Sequence, residues 1–101
     1  MWLFALFDLP VNTRKARKRY AQFRTLLVRE GFSMLQFSVY ARYCDGEEAA
    51  ETHRKRIRKA LPPEGHVRLL SVTDRQFGRM ENFVGKNPTF PESKPSQLVL
   101  F

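Results

Sequence analysis

The chain has 101 residues, of which 43% are hydrophobic, with one Trp, three Tyr and nine Phe, and a formal net charge of +8. That length implies one domain, small enough that oligomerisation is a common source of added stability, and a charge of this size selects an anionic partner, nucleic acid ahead of a membrane surface. A single cysteine, Cys44, excludes an intrachain disulfide, and with no His/Cys cluster around it neither a zinc site nor a thiol nucleophile is indicated.

The first seven residues, MWLFALF, are all apolar and stop at Asp8. Such a run, closed by a turn signal, reads as a buried strand. Trp2, Phe4 and Leu6 take one face and Leu3, Ala5 and Phe7 the other, so both faces should be covered: one by helices, the other by a further layer such as a second subunit. The run is too short for a signal-peptide core and lacks a basic lead-in, and no segment approaches a membrane span, so a cytoplasmic protein is expected. Asp8-Leu9-Pro10 leaves the strand. Asn12 or Thr13 is placed to cap a helix that runs to about Glu30, with Gly31 terminating it. Ala16, Tyr20, Phe23 and Leu27 form its packing stripe; Arg14, Lys18 and Arg29 lie nearly opposite, Arg17 and Arg24 flank one side, Lys15 and Arg19 the other. Between Asp8 and Glu30 there are seven basic residues and no acidic one. This is the pattern of a phosphate-binding surface rather than of a helix face that is merely solvated.

Phe32–Tyr43 (FSMLQFSVYARY) is aromatic and β-branched and predicts strand, too long and uneven for one flat strand; a break near Gln36–Ser38 is expected. Leu35, Phe37, Val39 and Ala41 keep one alternating set. Asp45-Gly46 opens a second helix, about Glu47–Leu61, closed by Pro62-Pro63. Its acidic start and its basic end, Arg54 to Lys59, match the helix dipole, and Ala50, His53, Ile57, Ala60 and Leu61 make its buried stripe. The five cations of residues 54–59 are expected to extend the anion-binding surface. His53 is expected to be a partly buried structural histidine, and His66 a surface one. His66–Thr73 predicts another strand, broken by Asp74-Arg75-Gln76-Phe77. Asp74 follows its strand as Asp8 does, and is either a second functional carboxylate or, as favoured, a turn or cap residue. Gly78–Val84 reads as a short helix or extended segment, Gly85–Ser96 as an irregular connector rich in proline, and Gln97–Phe101 (QLVLF) as a terminal strand seeking a sheet edge. The order β-α-β-β-α-β gives an α+β fold on the ferredoxin-like plan: an antiparallel sheet with two helices on one face, spanning residues 1–84, followed by a connector and strand over residues 85–101.

Four features together resemble the Cas2 family of CRISPR-associated proteins, the small subunit of the spacer-acquisition machinery. They are the apolar strand ending in Asp8; the Arg-rich first helix, with Arg17 and Arg19 matching family arginines; the stretch Gln36-Phe37-Ser38-Val39-Tyr40; and the strand running into Thr73-Asp74-Arg75-Gln76-Phe77. The last segment and the terminal QLVLF are most similar to members that accompany type II systems. The resemblance implies a homodimer of two ferredoxin-like subunits packed sheet to sheet, with the C-terminal strand pairing across to the partner. It implies that the two copies of Asp8 lie near each other and hold a divalent ion, Mg²⁺. It further implies a scaffold that binds spacer-precursor duplex DNA on a basic surface (Arg14, Lys15, Arg17, Lys18 and Arg19) and bridges dimers of the integrase Cas1, a role in which the carboxylate is dispensable.

Metal-dependent nuclease activity on RNA or DNA is attributed to several members of the family. For that activity Asp8 is the expected catalytic and metal-binding residue, Arg17 or Arg19 stabilises charge on the phosphate, and Ser38 and Tyr40 are supporting residues that place the backbone. Two other classes stand beside this one. An RNA-binding module of the RRM type would stack bases on Phe37, Tyr40 and Tyr43, but FSVYARY lacks that signature's Gly-aromatic spacing. A toxin-like small RNase is the other.

Overall fold

The computed structural model describes residues 1–89. Within them the chain runs β1 (Trp2–Asp8), α1 (Arg14–Arg29), β2 (Ser33–Gln36), β3 (Val39–Tyr43), α2 (Glu47–Lys59), β4 (His66–Val72), α3 (Asp74–Gly78), β5 (Asn82–Val84) and β6 (Asn87–Thr89). The first four strands make one sheet in the order β2-β3-β1-β4, every pairing antiparallel. This is the ferredoxin-like βαββαβ plan. The expected strand Gln97–Phe101 lies outside the described residues.

Alternation along β1 divides the core. Leu3, Ala5 and Phe7 pack with Phe23 and Leu27 of α1, Ala50 and Ile57 of α2, and Tyr40 of β3, so both long helices cover one face. Trp2 and Phe4 face the other way, into a smaller cluster with Ala41 and Phe77. There Phe77 stacks on Trp2 at a centroid distance of 4.1 Å. The second layer expected over β1 is therefore begun by the chain itself, through α3. It stays incomplete toward the Asp8 end, where Leu70, opposite Phe4 in the register, is 51% exposed.

The local signals act where the sequence places them. Thr13 Oγ1 accepts from Ala16 N at 3.0 Å and caps α1. At the other end Gly31 N donates to Val28 O and Phe32 N to Leu27 O, a Schellman closure in which Gly31 takes φ +85°. β2 and β3 are joined by Phe37-Ser38 alone, at the expected break, and Ser38 adopts φ +62° in the place of the usual glycine.

Four expectations are corrected. α2 ends at Lys59 rather than Leu61, and Ala60 and Leu61 are exposed rather than part of its buried stripe, because the two prolines pull the chain off the sheet before another turn forms. Phe37 leaves the alternating set of its neighbours, because it sits in the turn and not in a strand. Residues 74–78, read as a break, form a helical turn: Thr73 Oγ1 accepts from Gln76 N, and Gln76 Oε1 accepts from Thr73 N, a complete capping box. Beyond it Gly85, at φ +62°, turns β5 into β6, so the first part of the expected irregular connector is a hairpin.

Candidate nucleic-acid interface

α1 presents its cations in the places its periodicity assigns. Ala16, Phe23 and Leu27 are buried against the sheet, which forces Arg14, Lys15 and Lys18 outward, and all three are exposed. Arg17 leans over the β1–α1 loop, its Nη1 donating to Val11 O at 3.2 Å. Arg19 goes to the other flank and lines a cleft of about 360 Å³ with Gln22, Phe23, Leu26 and residues 60–63. The five residues therefore form two adjoining groups and not one plane. None of the ion pairs among the described residues involves any of the five. The first turn of α1 contains no acidic residue, so Arg14 and Lys15 face the positive end of their own helix dipole.

α2 behaves differently, and here the expectation from charge counting is corrected. Arg54 pairs with Glu47 at 2.5 Å and Glu51 at 3.0 Å and bonds Ser71 Oγ. Arg56 reaches Glu30 at 3.3 Å, and Arg58 reaches Glu51 at 3.8 Å. Glu47's hydrogen bond is the largest influence on the Arg54 guanidinium and, against the opposing effect of burial, its pKa rises. Three of the five cations of residues 54–59 are thus engaged within the fold.

Asp8 ends β1 fully at the surface. The register pairs it with His66 of β4 and pairs Leu6 with Arg68, so Asp8, His66 and Arg68 share the sheet face away from α1 and α2, with opposite Cβ atoms about 5 Å apart. Gly65 permits this closure. It has φ +87°, and a Cβ there would fall 2.5 Å from the Asp8 carbonyl oxygen and 2.8 Å from a Leu9 methyl. Asp74 lies at the opposite end of the sheet, next to Val72, which pairs with Trp2. Six residues of strand put it about 20 Å from Asp8. It opens α3 and stands 2.9 Å from the Met1 α-amino group, so within one chain the two aspartates do not meet.

Ser38 and Tyr40 are held by α1. Tyr40 is buried, and its hydroxyl accepts from Arg24 Nε at 2.9 Å; the Ser38 and Tyr20 hydroxyls are 3.0 Å apart. Tyr40 faces the helices while Tyr43 packs on the opposite face, so Phe37, Tyr40 and Tyr43 present no common stacking surface of the RRM kind. Arg24 is not among the residues the sequence assigns to the site; its flanking position beside Tyr20 on the helix is the signal that marks it. Cys44 is buried, and burial pushes its thiol up despite Arg42 nearby, which leaves it a core residue. His53 packs edge-on to Phe32 and bonds Glu30 through Nδ1 at 2.7 Å, the structural role expected of it.

Among the described residues no group of three or more His, Cys, Asp or Glu side chains converges to hold a metal. Asp8 is the carboxylate at the strand end of this corner, with His66 opposite it in the register. One exposed carboxylate fits Mg²⁺ in one respect, since this ion is commonly held by one or two carboxylates and several waters. No helix among the described residues is long and apolar enough to cross a membrane.

Comparison with known proteins agrees with this geometry. A protein named CRISPR-associated endoribonuclease Cas2 from Parvibaculum lavamentivorans is 52% identical over 101 residues, covering both chains completely. One of the same name from Flavobacterium psychrophilum is 48% identical over all of this chain and 88% of its own length. Another, from Acidovorax ebreus, is 44% identical over the full length of both. The model of the family described as CRISPR associated protein Cas2 matches residues 1–80, from β1 through α3, and the chain belongs to that family.

Proposed function

We propose that the protein is a CRISPR adaptation subunit of the cytoplasm that works as a homodimer, binds spacer-precursor duplex DNA along α1 and bridges dimers of the integrase Cas1. One observation carries this reading: α1 exposes Arg14, Lys15 and Lys18 with no ion pair among the described residues, while three of the five cations of residues 54–59 are paired with Glu30, Glu47 and Glu51. A rigid helix studded with unpaired cations is suited to phosphates and indifferent to base sequence. The apolar strip left open by Phe4, Leu6 and Leu70 supports a second copy on the other side of the sheet. The test is duplex affinity as a function of salt, by fluorescence anisotropy. Replacing Arg14, Lys15 and Lys18 together by Gln should flatten the slope of log affinity against log salt by roughly 0.9 for each phosphate that is no longer neutralised. An unchanged slope would remove α1 from the DNA.

RNA cleavage is the second reading, favoured by the name shared by the relatives and by an exposed Asp8 at the strand end. Magnesium, held between the Asp8 carboxylates of two chains, would supply charge neutralisation at the phosphate and an acidified water. Arg17, fixed over the neighbouring loop by Val11 O, holds a phosphate oxygen, with Arg19 on the far flank of the same helix. Ser38 and Tyr40, engaged by Tyr20 and Arg24, keep β3 in place beneath α1. Asp8→Ala should abolish magnesium-dependent cleavage of RNA and duplex DNA while spacer acquisition in cells carrying the full locus continues. Loss of acquisition in a folded, dimeric Asp8→Ala protein would make the carboxylate central and overturn the scaffold.

A further inference from the structure

Phe37 is the most exposed large apolar side chain of the described residues, at 77%, and it does not hang free. It occupies the first position of the two-residue β2–β3 turn. The second, Ser38, holds φ +62°, a conformation that non-glycine residues adopt infrequently and that persists when its surroundings enforce it. Two bonds do so here. Ser38 O accepts from Phe7 N at 3.1 Å, and the Ser38 and Tyr20 hydroxyls meet at 3.0 Å. The result sets the Phe37 ring nearly parallel to Tyr20, with centroids 5.9 Å apart and planes 19° apart. Tyr20 in turn packs on Phe7 of the core at 5.7 Å. One face of Phe37 is thus backed by an aromatic series rooted in the sheet, and its other face meets solvent.

The register that pairs Leu6 with Val39 and bonds Phe7 N to Ser38 O runs on to set Asp8 opposite Phe37, and two cations lie on the α1 side of the ring. Arg17 and Arg24 lie three residues before and four residues after Tyr20 on α1, so both neighbour it on the helix surface. Arg24 is fixed by Tyr40 and Arg17 by Val11. A rigid aromatic ring with an open face, flanked by two positioned guanidiniums, is the arrangement that binds an unpaired nucleobase by stacking while the cations hold the phosphates on either side. A protein partner would need apolar or acidic complement around the ring, and a paired duplex offers no free base face except at its end. We propose that Phe37 is a base-stacking platform for a single-stranded nucleotide, at the end of a duplex or in a tail leading from it. This rests on the nucleic-acid reading above and adds to it a recognition of strand state.

The test uses the full chain and duplex DNA in two forms, blunt and carrying a single-stranded DNA or RNA tail with 2-aminopurine as its first unpaired base. Wild type should bind the tailed duplex more tightly than the blunt one and quench the aminopurine fluorescence. Phe37→Ala should lose that preference, weakening tailed binding by about five- to a hundredfold, with blunt-duplex affinity unchanged; Phe37→Trp should retain both preference and quenching. Unequal loss between DNA and RNA tails would identify which strand the platform takes. Equal quenching by wild type and Phe37→Ala would overturn the platform, yet leave the phosphate-binding reading intact if blunt-duplex affinity still falls with salt. Absence of salt-dependent duplex binding would overturn both. A change of oligomeric mass in Phe37→Ala, with nucleic-acid binding unaltered, would assign the ring to a protein contact instead.

Discussion

Glu30 links the two long helices. It is the C-terminal cap residue of α1, and its carboxylate accepts from His53 at 2.7 Å and from Arg56 at 3.3 Å. Burial pushes this carboxyl up, but the hydrogen bonds and charges of His53 and Arg56 together outweigh burial and hold it below its ordinary value. A carboxyl depressed in the folded state stabilises the fold above the pKa it has when unfolded, and that contribution disappears as pH falls through the folded value. Urea denaturation should therefore show Glu30→Gln less stable than wild type near neutral pH, with the gap closing as pH falls through the folded-state value of the carboxyl. A gap of the same size above and below that value would mean that the carboxylate charge is not what joins α1 to α2. His53 is legible from its place on the apolar stripe of α2. Its partner is not, because Glu30 is a helix-end residue twenty-three positions away and only the packing of α1 beside α2 brings them together.

At the scale of elements, local chemistry predicts best. Thr13, Gly31 and the two prolines after α2 each act on their own neighbours, and their signals survive in any tertiary context. The β2–β3 turn is legible despite lacking Asn-Gly, since aromatic and β-branched residues on both sides leave Gln36–Ser38 as the weakest stretch. α3 is not. Five residues give no helical period to detect, and what stabilises them is Phe77 buried on Trp2, worth about 1.5–3 kcal/mol of apolar burial for a side chain of this size. The capping box Thr73-x-x-Gln76 is present in the sequence, but without an apolar run behind it the same residues read equally as a turn. The charge of α2 misleads for a related reason: Glu47 and Glu51 stand seven and three residues before Arg54, within reach along the helix, and compensate the basic end from its acidic start.

For the molecule as a whole, the described residues give the sheet one finished face and one unfinished. α1 and α2 seal the first. On the second, α3 covers Trp2, while Leu70 stays half-exposed and Phe4 and Leu6 are only partly buried. A second copy laid across this face would bury the strip and bring the two Asp8 corners onto one assembly. Leu70→Lys tests this with little cost to the isolated fold, since substitutions at exposed positions usually change stability by less than about 0.5 kcal/mol. Wild type should elute with light scattering at twice 11.9 kDa and the variant at 11.9 kDa with the same circular dichroism. A variant that remains dimeric would place the contact elsewhere. The two-sided apolarity of β1 makes the need for a second layer readable from the sequence; how far the chain covers that face by itself is not, because it depends on where α3 lands.

The absence of any acidic residue from the first turn of α1 has a thermodynamic consequence. Arg14 and Lys15 repel the helix end they sit on, and the other cations of α1 add to that repulsion, so the free protein carries an electrostatic strain that a bound polyanion relieves. Ligand that binds only the folded chain adds stability as its concentration exceeds the dissociation constant, about 2.7 kcal/mol at a hundredfold excess, a sizeable fraction of what a domain this small possesses. On the function proposed above, nucleic acid would then act as a folding cofactor as well as cargo, and the population of intact protein in a cell, and its survival against proteolysis, would be coupled to how much of it is loaded.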